Sequence, residues 1–171
     1  QNLPKADAIV TNLTNLNIGI VTADCAPILF FDVNKKVIAA AHAGWRGARG
    51  GIIAATIVAM KKLGAQEVSA IIGPMIQQDS YEVSREFLDE FLGENATNST
   101  FFKEGENANK YFFNLPTYVE KKLRDAGVLK IQNDQTDTYK NSKSLFSFRR
   151  SMHLKEKDCG RNIAVIAIEE N

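Results

Sequence analysis

The chain has few of the residues that form disulfides or bind metals, with two cysteines and two histidines among 171 residues. Two cysteines far apart in sequence, Cys25 and Cys159, do not make the disulfide framework of a small secreted protein. No stretch approaches the roughly 18 consecutive apolar residues that indicate a membrane span. We therefore expect a cytoplasmic protein with reduced cysteines and no membrane partner.

The chain also lacks an excess of charge of either sign. Its 21 basic and 20 acidic residues leave a formal net charge of +1, whereas a nucleic-acid-binding domain shows a basic excess on one face. Its length and its 44% of hydrophobic residues are typical of one globular domain. The composition predicts a single domain over residues 1–171 that does not bind nucleic acid.

Short β-rich runs alternate with amphipathic helical patterns, which predicts an α+β fold. The other predicted strands, outside the hairpin described next, are residues 6–10, 16–22, 67–72, 145–149 and 162–168. Helices are predicted after Gly51, after Ser84 and after Asn114. Residues 163–168 are apolar on both faces, so they are expected to form a buried central strand. The polar segment 93–110 is predicted to be a loop.

A β-hairpin is predicted where residues 27–33 and 36–42 flank the turn Asn34-Lys35. A two-residue loop there would place Pro27 opposite His42. Cys25, two residues before Pro27, would then lie on the same face as His42 and diagonal to it. Such neighbours are about 7–8 Å apart at Cα. The pattern therefore predicts that a thiol and an imidazole meet.

Three interpretations of this cysteine–histidine pair are open. It could be a small buried cysteine beside a core histidine, a Cys–His catalytic pair, or part of a metal site. A catalytic zinc site needs at least three protein ligands. The other candidate ligands in the chain, none at a spacing that singles it out, are Asp24, His153, Asp158 and Cys159.

Arg46 lies in the glycine-flanked segment Gly44-Trp45-Arg46-Gly47, which leads into a predicted helix. A helix start favours anions, and a guanidinium group can hold a phosphate or a carboxylate through two hydrogen bonds. A solvated surface arginine is the alternative. By strand alternation, one of Arg149 and Arg150 should point outward from the core as a solvated charge.

Five segments occur in an order that resembles a known family. They are ADAIVT (6–11), TADCAPILFFD (22–32), AAHAGWRG (40–47), IGP with SYEV (72–83), and LFSFRR with a later GR (145–161). They resemble the bacterial laccase-domain proteins, long labelled multicopper polyphenol oxidases and later reassigned as zinc-dependent purine nucleoside phosphorylases. The resemblance runs from about residue 6 to the C-terminus. It implies an α+β fold of mixed sheets with helices on the outside, like that of some cysteine hydrolases.

The resemblance also implies a metal site. Family members hold a single zinc ion with two histidines and a cysteine, and the cysteine and the second histidine correspond to Cys25 and His42. The first histidine precedes the ADAIVT-like segment, so it is expected upstream of Gln1, together with a sizeable N-terminal part of the family's length. Arg46 would hold the phosphate, with Arg149 or Arg150 as a weaker candidate. Cys25, His42 and Arg46 are the expected catalytic residues.

The implied reaction is phosphorolysis of purine nucleosides, namely adenosine, inosine and methylthioadenosine, to the free base and ribose 1-phosphate, with adenosine deamination as a further activity. The partners would be a purine nucleoside and phosphate; the oligomeric state stays open. One alternative is a metal-free cysteine hydrolase or deamidase with Cys25 as nucleophile and His42 as base. Polyphenol oxidation with copper fits less well, because a multicopper site needs many more than two histidines. A scaffold without turnover is the remaining alternative.

Overall fold

The computed structural model describes residues 5–170, and five strands in this range form a central mixed sheet. In spatial order they are β1 (Ala8–Thr11), β4 (Val37–Ala43), β3 (Ala26–Asp32), β5 (Ser69–Ile72) and β9 (Lys130–Asn133). Neighbouring strands are antiparallel except β5 and β9, which are parallel. With helices packed against this sheet, the predicted α+β class is confirmed.

Strands β3 and β4 form the predicted hairpin, and its register is confirmed because Pro27 is opposite His42. The loop is longer than the predicted two residues, because residues 33–36 connect the strands and Lys36 lies in the left-handed region at φ 51°. The Asp32 carboxylate accepts hydrogen bonds from the backbone N–H groups of Lys35, at 3.0 Å, and Gln66, at 2.7 Å. The loop is thereby tied to the segment that leads into β5.

Helices cover one face of the central sheet. They are α1 (Trp45–Arg49), α2 (Ile52–Lys62) and α4 (Leu115–Asp125). The β4 side chains directed to this face, Ala39, Ala41 and Ala43, are small and fully buried, so α2 packs closely against the strand. None of the helices in the described part of the chain combines the length and the apolar character needed to cross a membrane.

The opposite face is covered by an antiparallel pair, β2 (Ile18–Thr22) and β10 (Asn162–Ile166). The prediction of a buried central strand at residues 163–168 is wrong. In the part of the chain that the structure describes, β10 pairs with β2 alone, and Ile163 is 69% exposed. One face of β10 packs on the central sheet while the other faces solvent, although both faces carry apolar side chains.

A smaller three-stranded sheet lies beside this assembly within the described residues. Its strands are β6 (Glu82–Ser84), β8 (Lys110–Phe113) and β7 (Phe102–Glu104), and α3 (Arg85–Glu94) directly follows β6. The predicted loop 93–110 is therefore wrong in part. Most residues of this segment are polar, but two of its aromatic residues anchor it to the rest of the protein. The ring of Phe101 packs against Tyr118, and the ring of Phe102 packs against Phe91.

Residues 145–149 do not form the predicted strand. Helix α5 (Phe148–Leu154) begins there instead, and the Ser147 hydroxyl accepts a hydrogen bond from the backbone N–H of Arg150 at 3.1 Å. A serine at this position stabilises a helix start by satisfying one of its free N–H groups. Phe148 and Arg149 consequently lie on the first turn of a helix.

Candidate active site

Cys25, His42 and Asp7 meet at one end of the central sheet. Cys25 directly precedes β3, His42 is the penultimate residue of β4, and Asp7 directly precedes β1. The backbone N–H of His42 donates to the Asp7 carbonyl at 2.8 Å, and His42 Nδ1 is 3.1 Å from Asp7 Oδ1. The carboxylate thus fixes one ring nitrogen of the imidazole and leaves Nε2 available to a ligand.

Gly44 leaves the space in which the thiol and the imidazole meet. A Cβ added at this position would lie 2.8 Å from Cys25 Sγ and 3.8 Å from His42 Nε2. Gly44 has a φ of −69°, which any residue can adopt, so its missing side chain matters for space alone. Both donor atoms therefore border one small volume beside the Gly44 backbone.

Asp24 holds the residue next to it in place. Its backbone is left-handed, with φ 87°, and it is 8% exposed. Its carboxylate accepts from the Thr138 hydroxyl at 2.7 Å and from the backbone N–H of Arg149 at 2.6 Å. A non-glycine residue in this conformation needs such support. Asp24 therefore positions Cys25, and its carboxylate is already engaged.

The environment of Cys25 favours the neutral thiol when no cation is bound. Burial, followed by the negative charges of Asp24 and Asp7, raises the pKa of this thiol to about 11. The thiolate is the form that attacks electrophiles and binds metals. A nearby cation that offsets the two carboxylates would favour the thiolate.

Arg46 lines the same cavity as this pair. The cavity has a volume of about 260 Å³, and its walls are Asp7, Cys25, His42, Gly44, Trp45, Arg46 and Gly47. The Arg46 guanidinium lies 4.5 Å from the centre of the Trp45 ring. Arg49 of the same helix is bound by Glu90 and Glu94, each at 2.6 Å. Among residues 5–170, Arg46 forms no such ion pair, so it can receive an anion.

A second cavity, of about 250 Å³, also borders Cys25 and Trp45. Its walls are Ala23, Asp24, Cys25, Trp45, Ile76, Tyr81, Leu115, Phe148 and Arg149. The Arg149 guanidinium is 5.3 Å from the centre of the Tyr81 ring, and its Nη1 donates to the Glu82 carbonyl at 2.7 Å. Burial raises the pKa of Tyr81 to about 12, so its hydroxyl stays protonated at neutral pH.

The remaining sequence candidates do not reach these cavities. Arg150 donates to the carbonyls of Thr138, at 2.6 Å, and Tyr139, at 2.8 Å, so its role is structural. His153 Nδ1 is 2.9 Å from the Tyr139 hydroxyl, and Asp158 and Cys159 border a separate cavity. Within residues 5–170 no group of three histidine, cysteine or acidic side chains is arranged to hold a metal ion.

Asp7 and Phe148 line these cavities, and the sequence did not single them out. Asp7 directly precedes a strand that pairs with the His42 strand, a relation that the sequence does not specify. The apolar run 145–149 predicts a strand through Phe148, whereas Ser147 before it is a helix-capping residue that indicates a helix start.

Residues 1–169 match the sequence model of the family described as multi-copper polyphenol oxidoreductase laccase. The chain belongs to this laccase family. Its membership confirms the resemblance that the five sequence segments suggested.

Relatives in the laccase family include proteins named for a different reaction. A purine nucleoside phosphorylase of Rickettsia conorii is 42% identical over 154 residues, which cover 90% of this chain and 64% of that relative. A purine nucleoside phosphorylase of Clostridium acetobutylicum is 33% identical over 97% of this chain and 68% of its own length. This chain thus spans 64% of the length of the Rickettsia conorii protein.

A solved structure of the laccase family has the same fold. The crystal structure of a Neisseria meningitidis protein superposes with a TM-score of 0.85 at 32% sequence identity. The superposition covers 98% of this chain and 66% of that one. The hairpin that carries Cys25 and His42 therefore belongs to a fold that this protein shares with the Neisseria meningitidis protein.

Proposed function

We propose that this chain carries the nucleoside-cleaving site of a zinc-dependent purine nucleoside phosphorylase acting on inosine, adenosine and methylthioadenosine. The observation that carries the proposal is the convergence of Cys25 Sγ and His42 Nε2 beside Gly44, in a cavity that Arg46 also lines. The names of the Rickettsia and Clostridium relatives support the reaction class.

The residues present fit a zinc ion. A cysteine sulfur and an imidazole nitrogen are donors that zinc prefers, and the Asp7 carboxylate on the other ring nitrogen is a common outer partner of a zinc-bound histidine. The third ligand implied by the family resemblance is a histidine outside the described residues, and it stays a prediction. When bound, zinc would act as a Lewis acid on an oxygen of the substrate or of water.

Arg46 binds phosphate in this proposal, because it lines the cavity and its guanidinium group has no carboxylate partner among the described residues. In phosphorolysis an oxygen of hydrogen phosphate bonds to C1′ of the ribose while the bond from C1′ to the purine nitrogen breaks. The electron pair of that bond leaves with the base, and the proton of hydrogen phosphate passes to the base. Arg46 holds the entering anion at the reacting carbon.

Adenosine deamination is proposed as a further activity of the same site. There, the oxygen of water replaces the amino group at C6 of adenine, and ammonia leaves. We also place the protein in the cytoplasm, where Cys25 and Cys159, both free in the structure, stay reduced.

A metal-free cysteine hydrolase is the second candidate. The Cys25 thiol, with its pKa raised to about 11, is protonated at neutral pH, which counts against an uncoordinated thiolate nucleophile. Polyphenol oxidation at several copper ions needs a cluster of histidines. His42 is the one histidine that lines either of these two cavities.

Replacement of Cys25 by alanine tests the proposal in the full chain. We expect Cys25→Ala to lose bound zinc, measured by elemental analysis, and to lose nucleoside cleavage. The loss should exceed the roughly 10–100-fold effect of removing an outer partner of a metal ligand. Cys159→Ala, which changes the other cysteine, should keep both zinc and activity. Cleavage by Cys25→Ala without bound zinc would refute the proposal.

A further inference from the structure

Cys25 and Trp45 form a wall shared by two cavities of similar size. The cavities, of about 260 and 250 Å³, have no other lining residue in common. Asp7 and His42 place the first cavity at the β1–β4 side of Cys25. Ile76, whose backbone N–H donates to the Asp24 carbonyl at 3.0 Å, places the second at the side of β5. A substrate that fills both cavities would therefore lie against Cys25.

The two cavities differ in their chemistry. The β5-side cavity has three aromatic walls, Trp45, Tyr81 and Phe148, and aliphatic walls from Ala23, Ile76 and Leu115. Apart from Trp45, the other cavity is lined by charged, polar or glycine residues. We refer to them as the aromatic cavity and the Arg46 cavity.

We propose that the aromatic cavity binds the purine base, with phosphate in the Arg46 cavity and the ribose carbon C1′ beside Cys25. This assignment rests on the proposed function. It makes Tyr81 and Phe148 residues that determine the preference for a purine.

The chemistry of the two ligands favours the base, and not the phosphate, in the aromatic cavity. A purine is flat and stacks favourably on aromatic side chains. A phosphate in the same cavity would lose hydration against mostly apolar and aromatic walls, and the Asp24 carboxylate would oppose the attraction of Arg149. In a displacement at C1′, the phosphate oxygen enters on the side opposite to the departing base. Two cavities that share Cys25 and Trp45 as a wall can hold the entering anion and the departing base separately.

Size and polar groups agree with this assignment. Each cavity alone is smaller than the roughly 300 Å³ at which small-molecule sites usually begin, while the two together fall within the usual range. Arg149 uses Nη1 on the Glu82 carbonyl, and a guanidinium has five N–H donors. Its other donors and the protonated Tyr81 hydroxyl can bond the nitrogen and oxygen acceptors of a purine.

Trp45 is the only tryptophan of the chain, so its fluorescence reports on the shared wall directly. We expect hypoxanthine, the base released from inosine, to quench this fluorescence saturably in the full chain. Inorganic phosphate at the same concentrations should not displace hypoxanthine. Competition between the two would mean that they share one cavity and would overturn the assignment.

Phe148 provides the decisive variant, because its ring is 53% exposed and its removal should not unfold the protein. Phe148→Ala should weaken hypoxanthine binding about 5- to 150-fold, the range that one stacking contact supplies, and should raise KM for inosine but not for phosphate. Phe148→Tyr should restore binding. Met152→Ala, also in α5 and 59% exposed, should have no effect.

The outcomes separate the two proposals. Saturable quenching that Phe148→Ala weakens, in a protein that cleaves no nucleoside, would keep the base site and reject the phosphorylase activity. Nucleoside cleavage with an unchanged KM for inosine in Phe148→Ala would keep the activity and reject the base site.

Discussion

At the scale of single residues, the site depends on an absent side chain as much as on those present. Cys25 Sγ can occupy its position beside His42 Nε2 only because Gly44 carries no Cβ, which would lie 2.8 Å from the sulfur. Asp24 adds the second constraint, since its buried carboxylate fixes the backbone that presents Cys25. Donor atoms, space and support are thus provided by different residues.

Gly44→Ala should therefore displace the Cys25 side chain and abolish zinc uptake, because a Cβ would lie 2.8 Å from the sulfur. Equilibrium binding of zinc followed with a chromophoric chelator measures this directly. The control is Gly93→Ala in α3, where an added Cβ has no neighbour within 4 Å among the described residues. Normal zinc affinity in Gly44→Ala would show that the thiol does not face this space.

The pairing of Cys25 with His42 could be predicted because an antiparallel register follows from a short local turn. The support from Asp24 could not, since its partners Thr138 and Arg149 are 114 and 125 residues away in sequence. Such partners depend on how separate elements pack, which spacing within one segment does not reveal.

At the scale of elements, the β3–β4 hairpin is fixed at the end remote from the site by Asp32. Its carboxylate is 2% exposed and accepts from the backbone N–H groups of Lys35, Gln66 and Glu67. Burial opposes the charged form, but these hydrogen bonds outweigh it and lower the pKa of Asp32 below its ordinary value. The hairpin is therefore stabilised by a buried negative charge.

This stabilisation should depend on pH in a definite direction. Because the folded-state pKa is lowered, the contribution of Asp32 is complete above the unfolded value of about 3.9 and is lost as the pH falls through the folded value. Asp32→Asn should reduce the free energy of unfolding by about 2–3 kcal/mol at pH 7, and by less at pH 3.

Urea unfolding at both pH values measures this difference. Asp89→Asn, which removes an exposed charge, should change stability by less than about 1 kcal/mol at either pH. An equal loss at pH 3 and pH 7 in Asp32→Asn would contradict the role of the charge.

The sequence predicted some elements and missed others for identifiable reasons. Helix α4 was predicted because Asn114 and Pro116 are typical of a helix start. At α5 the alternating apolar residues Phe146 and Phe148 indicated a strand. The structure forms a helix there instead, and the Ser147 hydroxyl caps its start. For β10, a continuous apolar run did not reveal that one face, with Ile163, is exposed.

At the scale of the whole molecule, an aromatic cluster connects the site to the three-stranded sheet. The rings of Trp45 and Phe87 are 4.7 Å apart, and those of Phe91 and Phe113 are 4.9 Å apart. Phe91 also lies edge-on to Tyr118 of α4 at 5.2 Å. The Trp45 ring, which lines both cavities, is thus held in place by aromatic packing that involves α3, β8 and α4.

Phe91→Ala should cost about 3–5 kcal/mol of unfolding free energy, because the ring is fully buried. It should also shift the emission of Trp45, whose ring is 6.1 Å from that of Phe91. Denaturant unfolding followed by fluorescence measures both effects. Val58→Ala, which shortens a 53% exposed side chain of α2, should stay within about 0.5 kcal/mol of the parent protein.

The local origin of the Cys25–His42 pair has a consequence for biosynthesis. Both residues belong to one hairpin, and a hairpin can form within microseconds of its second strand becoming free. As the chain leaves the ribosome, sulfur and imidazole can therefore meet before β5 or α5 has emerged. The hairpin that holds Cys25 and His42 can therefore form first. The later segments that carry Tyr81, Phe148 and Arg149 then pack against it.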